Sequence, residues 1–97
     1  AWYGAHFRPG RLTGGLDLWI ARQDWADGRR AVDADLLRYP DAAGREATVL
    51  VTVAGGADCR ATWEGRPAPC RQVVPGCWAV RLPAEALAGT LRVQAAG

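Results

Sequence analysis

Along most of the chain, apolar and polar residues alternate in short stretches, interrupted by Gly, Pro or Asp about every ten residues. Alternation with period two puts every second side chain on one face of a strand, so the pattern predicts strands with one buried face. Leu16, Leu18 and Ile20 share a face in the first clear stretch. Residues 25–30 then supply a turn around Asp27-Gly28, a pair suited to the left-handed backbone of a hairpin. Val32, Ala34 and Leu36 form the next set, which ends at Tyr39-Pro40-Asp41 and a loop through Gly44. Val49, Val51 and Val53 lie in the most β-prone stretch and predict a central strand.

The same pattern continues beyond Gly55-Gly56. Cys59, Ala61 and Trp63 alternate with polar neighbours, a turn follows at Glu64-Gly65-Arg66-Pro67, and a short strand covers Cys70 to Val74. Pro75-Gly76 turns the chain into a strand with Trp78, Val80 and Leu82 on one face. Residues 83–87 suit one helical turn, and Leu91, Val93 and Ala95 form the last strand. No stretch keeps a helical period over the ten or so residues a helix needs. The reading is all-β: an antiparallel, immunoglobulin-like β-sandwich of about seven strands, with a small barrel as the alternative. Its expected core is Val49, Val51, Val53, Trp63, Trp78, Val80, Leu82, Leu91 and Val93.

Length limits what such a chain can do. At 97 residues it is one domain, and a domain of that size buries roughly two-thirds of its unfolded surface, enough for a core but not for a large substrate cleft as well. The sequence is 49% apolar and 23% charged, with formal charge +2, an ordinary globular balance. No apolar run approaches the roughly 20 residues that span a bilayer, so no membrane partner is expected. The chain has no Lys, Ser, Asn or Met. That excludes a serine nucleophile and an N-glycan acceptor, while Arg in place of Lys is what coding by a GC-rich genome would give. The opening Ala1-Trp2-Tyr3 shows no leader peptide pattern, and the chain reads as a piece of something longer.

Candidate chemistry is sparse. Cys59 and Cys70 are equidistant from a turn centred between Glu64 and Gly65, so they lie opposite each other on a hairpin and are candidates for a disulfide. The alternative is that Cys59, Cys70 and Cys77 are all small buried residues, and Pro67 and Pro69 are positioned to distort the register. A single His6 and the wide cysteine spacing leave no zinc motif. Asp24, Asp27, Asp33 and Asp35 do not match a calcium loop and read as solvated strand and turn carboxylates. No metal site and no cofactor are expected. Glu46, Glu64 and Glu85 fall at strand ends or turns without cleft walls, and a Cys77–His6 dyad has no supporting motif, so this stretch is not expected to be an enzyme. The Arg residues are spread among acids over the whole length, which argues against nucleic acid as a partner.

Five Trp residues remain. Trp63 and Trp78 are in phase with inward neighbours and read as core. Trp19 is out of phase with Leu16, Leu18 and Ile20, and Trp25 falls in the turn; these two are the candidate sugar-stacking pair. The alternative is that they pack against the N-terminal aromatics or a neighbouring domain.

The first twelve residues, Ala1-Trp2-Tyr3-Gly4-Ala5-His6-Phe7-Arg8-Pro9-Gly10-Arg11-Leu12, resemble the junction found in mannosidase-like members of glycoside hydrolase family 2. There an aromatic, basic and proline-containing segment leaves the catalytic barrel and enters an immunoglobulin-like sandwich. The resemblance implies a junction over residues 1–11 and a sandwich domain over residues 12–97. It also implies that Trp2, Tyr3, His6 and Phe7 dock on the preceding catalytic domain of the same chain. On this reading the chain is a non-catalytic accessory domain of a glycoside hydrolase. A carbohydrate-binding module using exposed Trp, or a purely structural or adhesion-type domain, is the alternative.

Overall fold

Strands form where the alternation is strongest, and turns where a positive φ is needed. The computed structural model describes residues 10–14, 18–39, 47–55, 58–83 and 87–96. Among these residues nine strands run in chain order: β1 (Arg11–Thr13), β2 (Leu18–Ala26), β3 (Ala31–Arg38), β4 (Ala47–Thr52), β5 (Asp58–Trp63), β6 (Arg66–Ala68), β7 (Cys70–Val74), β8 (Cys77–Leu82) and β9 (Ala88–Ala96). No helix occurs among the described residues. The expected helical turn at 83–87 falls largely outside them. The two strands beyond the expected seven are β1 and β6, each three residues long. Stretches that short carry too little alternation to be recognised.

The strands make two antiparallel sheets, one of four strands in the order β1-β4-β8-β7 and one of five in the order β2-β3-β9-β5-β6. Their apolar faces share one core that contains Val32, Ala34, Leu36, Val49, Val51, Trp63, Trp78, Leu91 and Val93. All nine residues expected in the core are buried. The strand order differs from the immunoglobulin arrangement. In that fold the last strand joins the smaller sheet beside the strand before it; here β9 lies in the larger sheet, between β3 and β5.

Local chemistry sets the connections. Glu64 and Gly65 both have positive φ, at 51° and 80°, and Trp63 faces Arg66 across them. This is the two-residue hairpin that matches the right-handed twist of its strands. The expected turn centre is therefore the observed one. The hairpin is short because Pro69 interrupts it. Beyond Ala68 the chain leaves the five-stranded sheet, and β7 pairs with β8 in the other. A second hairpin joins β2 to β3 through residues 27–30, where Asp27, Gly28 and Arg29 all take positive φ.

Gly89 is needed for packing. A Cβ at that position would lie 2.7 Å from the Trp63 ring and 2.8 Å from Glu64 Oε1. Its bare backbone is what lets the indole lie across β9.

Candidate functional site

Strand β2 decides which side chains reach the surface of the five-stranded sheet. Leu18 and Ile20 point inward and Trp19 outward, as their alternation requires. A β-bulge between Ile20 and Arg22 then inserts one extra residue. An extra residue flips the alternation, so Arg22 and Asp24 point outward while Gln23 and Trp25 point inward. Trp25 is therefore a strand residue, not the turn residue expected. It is half-buried against the core, and its Nε1 donates to Gln23 Oε1 at 2.8 Å. Trp19 stands 57% exposed on the opposite face. The two indoles do not share a surface.

Trp19 heads an apolar row across the outer face. It pairs with Leu37 on β3, which pairs with Ala88 on β9. Leu37 and Tyr39 are both exposed, at 45% and 48%. Trp2, Tyr3, His6 and Phe7, the expected docking residues, lie outside the described residues.

Next to this row is a charged network. Arg22 Nε donates to Asp35 Oδ2 at 2.9 Å, and its Nη2 reaches Asp35 Oδ1 at 3.3 Å and Asp33 Oδ1 at 3.5 Å. Its Nη1 pairs with Asp24. Thr90 Oγ1 donates to Asp35 Oδ1 at 2.9 Å, and Arg92 Nε lies 3.5 Å from Asp33 Oδ2. The hydrogen bond to Asp35 holds the Arg22 guanidinium above its ordinary range. In return, the hydrogen bonds from Arg22 and then Thr90 hold the Asp35 carboxyl below its ordinary range.

A carboxylate stabilised in its ionised form is a poor proton donor. The guanidinium also stands where a cation would have to sit among Asp24, Asp33 and Asp35. Among the described residues, no His, Cys, Asp or Glu group is arranged to hold a metal ion. Beside the network is a shallow depression of about 560 Å³, lined by residues that include Asp24, Asp33, Arg60, Thr62 and Arg92.

The sequence reading did not single out Arg22, Thr90 or Arg92. Pairing residues outward from the Asp27-Gly28 hairpin would have found part of the network, since Asp24 faces Asp33 and Arg22 faces Asp35. Thr90 and Arg92 belong to a strand more than fifty residues away, and no local signal links them to β3.

The three cysteines are free thiols. Cys59 points inward from β5 and is buried; Cys70, at the start of β7, is half-buried against the core. Cys70 Sγ donates to the Cys59 carbonyl at 3.0 Å. Burial, and then the adjacent Cys70, pushes the Cys59 thiol up to about 12. Cys77 pairs with Thr52 at the other end of the four-stranded sheet, and burial raises its thiol too.

No protein-family model, curated protein or solved structure matches the chain.

Proposed function

We propose that the chain is a non-catalytic accessory domain of a larger carbohydrate-active enzyme of the glycoside hydrolase kind. It packs against the catalytic domain of the same polypeptide and supports it. It is immunoglobulin-like in size and two-sheet layering, with its own strand order. The observation that carries the docking part is the row Trp19–Leu37–Ala88 on the outer face of the five-stranded sheet. Covering exposed apolar surface is worth roughly 25 cal/mol per Å², so such a row favours a packed neighbour. The carbohydrate part rests on the resemblance of residues 1–12 to a barrel-to-sandwich junction.

The reading frame upstream of Ala1 tests the proposal directly. It should encode a barrel with two catalytic carboxylates, and an unrelated neighbour would sink the idea. In the longer protein, Trp19→Ala combined with Leu37→Asp should leave this domain folded while increasing protease cleavage at the domain junction. Unchanged cleavage would place the contact elsewhere.

One observation favours a second reading, direct carbohydrate binding. Trp19 offers an exposed indole face for a pyranose ring, and the adjacent Arg22 and Asp35 carry hydrogen-bonding groups suited to hydroxyls. Oligosaccharide titration followed by Trp fluorescence decides between the two. Binding predicts a spectral shift that Trp19→Ala abolishes and Trp25→Phe retains, whereas a silent glycan panel favours docking.

A further inference from the structure

Sheet switching at Pro69 has a chemical consequence. On a simple hairpin, Cys59 and Cys70 would be neighbours within one sheet. Instead β5 belongs to the five-stranded sheet and β7 to the four-stranded one, so the Cys70 thiol reaches Cys59 from the facing sheet. Both residues pack at the core, and Cys70 Sγ donates to the Cys59 backbone carbonyl at 3.0 Å. Cys70 is half-buried while Cys59 is buried.

We propose that Cys59 and Cys70 form a thiol–disulfide site that a small disulfide, of the glutathione type, converts into a bridge between the two sheets. The reaction has two exchanges. Cys70, as thiolate, attacks one sulfur of the external disulfide; that S–S bond breaks, a mixed disulfide forms on Cys70, and one external thiolate leaves. Cys59 gives up its proton and attacks the Cys70 sulfur; the protein S–S bond forms and the second external thiolate leaves. Two protein thiols are oxidised, one external disulfide is reduced to two thiols, and the two protons go to the leaving groups.

Geometry sets the order of the steps. Cys70 is the thiol a solvent-borne disulfide reaches first, and Cys59 is the resolving group held beside it. This inference is independent of the accessory-domain reading. It concerns the fold's own crosslink and holds whether or not a catalytic domain adjoins the chain.

The experiment uses the folded wild-type chain incubated with glutathione disulfide, then quenched with a thiol-blocking reagent and digested with trypsin. The cleavage sites separate the cysteines: Cys59 falls in residues 46–60, Cys70 in 61–71, since Arg66-Pro67 resists trypsin, and Cys77 in 72–81. The expected product is a crosslinked pair of 46–60 with 61–71, two hydrogens lighter than the separate peptides, with 72–81 blocked as a free thiol. Closing this loop should raise the urea midpoint of the oxidised chain by about 1 M.

A stable glutathione adduct on Cys70, a link through Cys77, or three unreacted thiols would each overturn the proposal. Cys70→Ser should abolish the crosslink, and Cys77→Ala should leave it intact. The wild-type peptide map decides the matter even if either variant folds poorly.

Discussion

The two sheets are alike on their inner faces and unlike on their outer ones. Inside, both present alternating Val, Leu, Ala and Trp to a common core. Outside, the strands of the four-stranded sheet carry three Arg (Arg11, Arg71 and Arg81) and no acid. The outer face of the five-stranded sheet carries Arg22, Arg60 and Arg92 with four Asp, several of them joined through Arg22 into one network, while Arg38 is buried on its inner face. The inner faces resemble each other because a single physical demand, exclusion from water, acts on both. No shared demand acts on the outer faces, and the differences between the sheets collect there. Any activity of this chain that depends on recognition is therefore sought on an outer face.

The largest test of this contrast uses two adjacent residues of β4. Val51 is completely buried, whereas Leu50 is 41% exposed on the other face. Val51→Asp should cost more than about 3 kcal/mol in urea unfolding, because it buries an unpaired charge. Leu50→Asp should stay within about 1 kcal/mol. Equal losses would mean that the two faces of the four-stranded sheet are not distinct.

Gly89→Ala examines the corresponding inner face of the five-stranded sheet. The added methyl meets the Trp63 ring at 2.7 Å. Forcing the indole aside should cost about 1–3 kcal/mol, accompanied by a change in Trp fluorescence. A stability gain would show that Trp63 yields freely.

Arg22→Ala should have a smaller effect on the outer face. It leaves Asp24, Asp33 and Asp35 close together without their shared cation, so the melting temperature should fall at low salt. The fall should shrink in molar salt, because exposed charges are screened. The same substitution at Arg71, which has no acid on its sheet, should not show that salt dependence. A salt-independent loss at Arg22 would point to packing instead of charge.

The smallest expected effect concerns pH. The folded-state pKa of Asp35 is depressed, so its contribution to stability is fully present above the unfolded carboxylate value. It is lost as pH falls through the lower folded value. Asp35→Asn should therefore destabilise the domain at neutral pH and approach the wild type below about pH 4. A constant difference across that range would mean that the Arg22 and Thr90 contacts do not depend on the charge of Asp35.

Legibility in the sequence followed the same inner and outer division. Val49, Val51, Val53, Trp78, Val80 and Leu82 were readable because burial leaves a period-two signal in consecutive residues. Glu64-Gly65 was readable because turn chemistry is local. Trp25 was misread, since a bulge adds one residue without a composition cue and reverses the face of every later side chain in the strand. The charged network was legible only across the β2–β3 hairpin. Thr90 and Arg92 arrive from β9, whose neighbours are set by the whole chain.

The sequence alone determined the all-β class, the phase of most strands and the buried residues, because backbone pleating ties each to its immediate neighbours. Tertiary structure alone decided that β9 runs between β3 and β5, that Trp19 and Trp25 part to opposite faces, and that Cys70 approaches Cys59 from the other sheet. Each of these depends on which strands pair with which. Pairing is chosen by the packing of distant segments around one core, and no stretch of local sequence contains that information.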